Sequence, residues 1–217
     1  KNKIKLSTKT QSIKDSDFII ITLGSSSKTK DIKIFDKVLN DVLQNAPHSS
    51  KIILRSTINI ETIEKIEENK LFVKKNIKLA YCPERIAEGM SLEELPTMPQ
   101  IIGVKDDADY KIFKDFFESI DILCKKTTYI NAVFLKLFTN TYRYAEFSLV
   151  NEFYNIAKNQ SIDFDEVVSL AKDNYPRLKN LPSKGFVAGP CLIKDTETFI
   201  KEYDEKNKLL NSIQDTN

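Results

Sequence analysis

The run GPCLIKD, residues 189–195, sets a thiol between Gly189-Pro190 and Lys194-Asp195. Cys191 follows a Gly-Pro pair and opens a helix, where free backbone N–H groups and the helix dipole favour a thiolate. Lys194 lies within one turn of it and adds positive charge. On these local grounds two readings stand side by side, a nucleophile and a buried inert thiol. Lys136 and Asn140, in KLFTN, are four apart and so share one helix face. Apolar neighbours bury that face, where a lysine needs a partner or a task; a snorkelling or salt-bridged lysine is the plain alternative. Glu84 follows a strand and Pro83, at a position from which a carboxylate reaches a cleft; it reads equally as a surface carboxylate or a partner for Arg85. Thr57 ends a strand, where its hydroxyl either bonds water or substrate or caps the next helix.

The remaining residue types narrow the chemistry. His48 is the only histidine and sits in a Pro/Ser turn, NAPHSSK, as an exposed loop residue. Acid–base work therefore falls to Lys, Asp, Glu, Cys or ordered water. Cys82 and Cys124 lie in strand contexts and read as structural; three widely spaced cysteines without CxxC indicate neither a disulfide framework nor a zinc site and fit a reducing cytoplasm. The 33 basic and 31 acidic residues are interspersed, unlike the clustered basic face of a nucleic-acid binder. No apolar run approaches the roughly 18 residues of a membrane span, and the charged first segment has no signal-peptide core. With 217 residues and 41% hydrophobic content, the chain can bury the core of one large domain or two smaller ones. It starts at Lys1 rather than methionine, so an excerpt of a longer protein is expected.

The elements that must position these groups follow from periodicity. DFIIITLG (17–24) reads as a buried parallel strand, KIFDKVLNDVLQNA (33–46) as a helix through Ile34, Val38, Leu39 and Val42, and KIILRST (51–57) as a second buried strand. This alternation predicts a parallel sheet with right-handed crossovers. A helix near 60–70, strands at IKLAYCPE and QIIGV, a helix at DADYKIFKDFFESI and a strand near DILCKKT continue it. From about residue 128 to 159 the period is helical without Pro or Gly, a length that suits a domain connector or a dimer seam. A further helix starts near Ser161 or Asp163 as cap, and a Pro/Gly-rich loop (Pro176, Pro182, Gly185, Gly189, Pro190) precedes a last helix near Cys191. The expected fold is α/β: a sheet domain over 1–127 and an all-helical domain over 128–217. Ligands in such sheets lie beyond the carboxyl ends of the strands. Those ends carry Gly24-Ser25-Ser26, Ser56-Thr57, Pro83-Glu84 and the residues after Gly103.

Four segments in order, RST (55–57), PERIAEGMSLEELPTMPQIIG (83–103), KLFTNTYR (136–143) and GPCLIKD (189–195), resemble the motif series of the UDP-glucose and UDP-N-acetylhexosamine 6-dehydrogenases. The resemblance covers nearly the whole chain and implies the later part of a Rossmann-like NAD-binding domain followed by a central helical domain. It implies a four-electron oxidation of a UDP-sugar C6 alcohol to the uronate with NAD, for surface polysaccharide precursors. Cys191 matches the family's nucleophile, which captures the aldehyde as a thiohemiacetal; loss of hydride gives a thioester that water cleaves. Lys136 and Asn140 match the groups that steady the oxyanion. Asp195 matches the carboxylate that positions or activates water, and Glu84 and Thr57 match residues of the same hydrolytic centre. For NAD the resemblance assigns Gly24, Ser25, Ser56, Thr57, Glu84 and Lys194; for the sugar nucleotide it assigns Glu84, Arg85, Lys136, Asn140, Arg143 and Gly189. A homodimer through the long helix is also implied, with no nucleic-acid, membrane or metal partner.

The chain departs from the pattern in three places. Phe186-Val187-Ala188-Gly189 replaces a glycine-rich approach to the cysteine, Val133 stands where the family often has Glu, and Gly24-Ser25-Ser26 replaces a frequent Thr-Pro. No GxGxxG occurs in the 217 residues, and the family's carboxyl-terminal UDP-binding domain has no counterpart here, so residues 1–217 alone are expected to be inactive. Two alternatives remain. A β-hydroxyacid or 6-phosphogluconate-type dehydrogenase also sets Lys and Asn four apart but needs no cysteine, and a truncated dimerisation module would explain the long apolar helix. NTYR (140–143) favours an N-acetylhexosamine, whereas GPCLIKD is closer to the UDP-glucose members.

Overall fold

The computed structural model describes residues 4–24, 29–87, 89–186, 190–203, 206 and 208–216. The chain divides into two compact units, residues 1–136 and 137–217.

In the first unit, β1 (Phe18–Ile21), β2 (Lys51–Leu54), β3 (Lys78–Tyr81), β4 (Gln100–Gly103) and β5 (Cys124–Thr127) lie in that order in one sheet. Between them run α1 (Thr29–Asn45), α2 (Ile60–Glu67), α3 (Lys70–Lys74), α4 (Ser91–Glu94) and α5 (Asp107–Glu118). β1 pairs β2 and β2 pairs β3 in parallel, with Ile21 beside Leu54 and Leu54 beside Tyr81. β4 and β5 are also parallel. The expected all-parallel sheet is broken at one junction, where Tyr81 meets Gly103 antiparallel. The connection between β3 and β4 is loop with one four-residue helix and does not carry the chain back to the start of the sheet, as a parallel crossover requires.

β2 and β3 form the apolar centre: Ile52, Ile53, Leu54, Ala80 and Tyr81 are fully buried. β1 is only half buried, because as an edge strand it covers one face; Ile19 and Ile21 are buried while Ile20 is 47% exposed. The single helix expected over 60–70 is two. Asn59 caps α2 by accepting from the Thr62 N–H (3.1 Å), and Asn69 caps α3 by accepting from Leu71 (2.9 Å). Asn69 thereby diverts the backbone out of helix by the side-chain competition typical of Asn. Lys75 closes the end of α1, its ammonium donating to the carbonyls of Leu43, Gln44 and Ala46 at 2.8, 2.7 and 2.8 Å. Gly103 permits close packing at the end of β4: a Cβ there would come within 2.8 Å of the Ala132 Cβ.

The 31-residue α6 (Tyr129–Asn159) continues into the second unit, followed by α7 (Phe164–Lys172), α8 (Pro190–Tyr203) and α9 (Lys208–Thr216). Asp163, not Ser161, caps α7, accepting from Asp165 (3.0 Å) and Glu166 (3.1 Å). Ser161 instead takes a left-handed backbone at φ 54°. The last helix expected near Cys191 is interrupted, α8 ending at Tyr203 and α9 starting at Lys208. Within this unit Tyr144, Val150 and Ala157 of α6 and Leu192 and Ile200 of α8 are buried. Among the described residues no helix is long and apolar enough to cross a membrane, and no group of His, Cys, Asp and Glu could hold a metal ion.

Candidate active site

Two clusters hold the candidate residues, one in each unit. In the first unit the chain leaves β2 through Arg55-Ser56-Thr57 and β3 through Cys82-Pro83-Glu84. The sheet ladder runs one residue past each strand, with Arg55 N–H bonded to Ile21 O (2.9 Å) and Cys82 N–H to Leu54 O (2.8 Å). That ladder fixes the two exits side by side. Glu84 pairs with Arg55, whereas its neighbour Arg85 turns to the Pro99 carbonyl (2.9 Å). The other Glu84 oxygen accepts from the backbone N–H groups of Arg85 (2.8 Å) and Ile86 (2.9 Å). Burial alone would raise the Glu84 pKa; the Ile86 N–H and the Arg55 guanidinium, joined by the Arg85 N–H, outweigh it and hold the carboxyl below its ordinary value. Arg85 is itself lowered by burial, partly offset by Glu84.

Beside this pair, Ser56 is buried and its hydroxyl has no hydrogen-bond partner among the described residues. Thr57 is half-buried, and since Asn59 is the N-cap of α2, Thr57 does not cap it. Gly24, beyond the end of β1, is exposed, and among the described residues nothing lies within 4 Å of where a Cβ would stand. Ser25 lies outside the described residues.

In the second unit, Asn140 of α6 donates to Asp195 of α8 at 2.6 Å, and both are buried, Asp195 at 1% exposure. The Lys194 ammonium stands 3.6 Å from the other Asp195 oxygen. The hydroxyls of Thr141 and Thr196, next in sequence to the bonded pair, are buried and have no partner among the described residues. Cys191 lies in the first turn of α8, one turn before Asp195, and is exposed. Arg143 is exposed; Lys136, one turn before Asn140 along α6 and the last residue of the first unit, is half-buried. Gly189 lies outside the described residues, as do Val187 and Ala188.

The three thiols differ sharply. Cys82 is fully buried and burial pushes its pKa far up; the half-buried Cys124 is pushed up to about 11 by the same cause. Cys191 alone of the three is exposed. Sequence reasoning singled out Glu84 but missed Arg55 and Gln100, whose side-chain oxygen accepts from Arg55 at 2.7 Å. The available signal was an arginine at the end of a buried strand, where a cation needs a counter-charge.

Residues 1–121 match the UDP-glucose/GDP-mannose dehydrogenase family, NAD binding domain, and residues 131–217 match the central domain of that family. A UDP-N-acetyl-D-mannosamine dehydrogenase of Methanocaldococcus jannaschii is 31% identical over 88% of this chain and 44% of its own length. The structure of a UDP-D-ManNAc dehydrogenase from Pyrococcus horikoshii superimposes with a TM-score of 0.87 at 24% identity, covering 98% of this chain and 53% of that one. A UDP-N-acetyl-mannosamine dehydrogenase structure from Staphylococcus aureus gives a TM-score of 0.76 at 30% identity, covering 93% of this chain and 51% of that one. The chain thus spans about half the length of the relatives it matches.

Proposed function

Since the chain belongs to the UDP-glucose/GDP-mannose dehydrogenase family, we propose that it serves an NAD-dependent dehydrogenase that oxidises the C6 alcohol of a UDP-sugar to the carboxylate, with Cys191 as nucleophile. The observation that carries this reading is the buried Asn140–Asp195 hydrogen bond. It ties α8, which carries Cys191 exposed at its start, to α6.

The residues at the ends of β1 and β2 fit a dinucleotide: no described side chain fills the space at Gly24, and the buried Ser56 hydroxyl, without a partner among the described residues, is left for a ligand to satisfy. NAD, when bound, supplies the hydride acceptor. This chain's own groups do the rest. The Cys191 sulfur adds to the C6 aldehyde, and the resulting adduct cannot diffuse away before its oxidation to a thioester. Cys191 is exposed in the first turn of α8, where a substrate can reach it. Lys136 and Asn140 donate to the developing oxyanion. Asp195, which Asn140 holds at 2.6 Å, is assigned by its motif to the water that opens the thioester. Thr57 and Glu84 are assigned to the same hydrolysis on the strength of their motifs.

The substrate proposed is a UDP-N-acetylhexosamine, after the dehydrogenases for UDP-N-acetyl-D-mannosamine among the relatives, and the product would feed surface polysaccharide synthesis. A homodimer along α6 is part of the proposal. Phe134, Phe138, Tyr142, Leu149, Phe153 and Ile156 form an apolar stripe there, each between 42% and 58% exposed. The test is stoichiometric: in the whole protein, two NADH per UDP-N-acetylmannosamine consumed, with the complete oxidation lost in Cys191→Ser. One NADH per sugar, indifferent to that substitution, would move the protein to the simpler hydroxyacid-type dehydrogenases.

A further inference from the structure

The Arg55 side chain is 14% exposed and ends a central strand whose backbone is locked to both neighbours. Its guanidinium faces two groups. One edge donates to the Gln100 side-chain oxygen at 2.7 Å, and the other pairs with Glu84. Gln100 is neutral, 8% exposed, and held by its own amide donating to the Ile101 carbonyl at 2.9 Å. A mostly buried cation between a neutral amide and a carboxylate takes its counter-charge from the carboxylate. The other Glu84 oxygen is occupied by the N–H groups of Arg85 and Ile86, so both oxygens are fixed and the plane of the carboxylate is set. A carboxylate left to rotate at a loop would have no such orientation.

We propose that Arg55 and Gln100 are positioning residues for Glu84: Gln100 orients the Arg55 guanidinium, and Arg55 pins the carboxylate against the Arg85 and Ile86 N–H groups. The inference rests on the reading of Glu84 as a functional carboxylate. Other charges nearby do not substitute for Arg55. The Arg85 guanidinium is turned to Pro99, Cys82 is held neutral by burial, and Glu94 of α4 is engaged with the Ala87 N–H at 2.8 Å.

The experiment is a side-chain carboxyl 13C titration of Glu84 in the 217-residue chain, in wild type, Arg55→Met, Arg55→Lys and Gln100→Leu, paired with the kcat pH profile of the whole protein. Arg55→Met is expected to move the Glu84 midpoint up into the ordinary glutamate range and to shift the acid limb of kcat the same way. It should lower kcat about tenfold or more with KM within about twofold. Arg55→Lys should restore part of both, and Gln100→Leu should shift the midpoint upward by less than Arg55→Met. If Arg55→Met does not fold, the Lys and Leu variants carry the test. A Glu84 midpoint that stays at its wild-type position in folded variants overturns the proposal, since a purely structural Arg55 would alter only stability. Full activity in Glu84→Gln would overturn the role given to Glu84, while the titration would still judge the pairing by itself.

Discussion

The two units treat the same functional groups in opposite ways. The first buries Cys82 fully and Cys124 by half, and leaves the Glu84 side chain 44% exposed on an arginine. The second buries the Asp195 carboxyl at 1% exposure, on the Asn140 amide with the Lys194 ammonium 3.6 Å away, and exposes its thiol at Cys191. A nucleophile must be reached by its substrate and gains from a helix start; a carboxyl that orients neighbours works best where water cannot compete. Glu84 is held by charge and backbone donors at a strand exit, so solvent can take over part of what Arg55 supplies. Asp195 is held out of solvent, by Asn140 at 2.6 Å and with the Lys194 ammonium 3.6 Å away.

The largest contrast should appear in thiol chemistry. Iodoacetamide mapping of the native chain by mass spectrometry should label Cys191 on the order of a hundredfold or more faster than Cys82, which reacts only through opening of the sheet. Equal rates would break the comparison at its base. Next in size is Asn140→Leu, which leaves the buried Asp195 without this donor and should cost about 2 kcal/mol in urea unfolding. Arg55→Met should cost less, about 1 kcal/mol at most, because the exposed half of Glu84 is solvated. A reversal of that order would show that the wet pair, not the dry one, holds its unit together.

The smallest expected effect is in pH dependence. The folded Glu84 pKa lies below its ordinary 4.5, so its contribution to stability is present above that pH and lost as pH falls through the folded value. Wild-type and Arg55→Met stability should therefore converge as pH drops below 4.5. Acid titration of the unfolding midpoint checks this, and parallel curves would remove Arg55 as the cause.

Much of this was readable in one dimension. The short continuous apolar runs gave the strands and the helical periods most of the helices, and Asp163 was one of the two caps offered for α7 because capping is local. The four ordered motifs pointed to the family that the chain is matched to. What escaped were effects of partners distant in sequence. The antiparallel β4 depends on where a loop turns back, the exposure of Ile20 on β1 being an edge, and the Arg55–Glu84 pair on two strand exits meeting across the sheet. The break at Asn69 was local but hidden, because the apolar pattern runs through it.

The central claim, that Cys191 carries the sugar, is tested most directly by intact-mass and peptide analysis of the whole protein reacted with NAD and UDP-N-acetylmannosamine. The Asp195→Asn variant suits it, since this change keeps an acceptor for Asn140 and removes the carboxylate that serves water. The account predicts an acyl adduct on the peptide containing Cys191, absent when Cys191→Ser is added. No adduct, together with complete four-electron oxidation in Cys191→Ser, would contradict it.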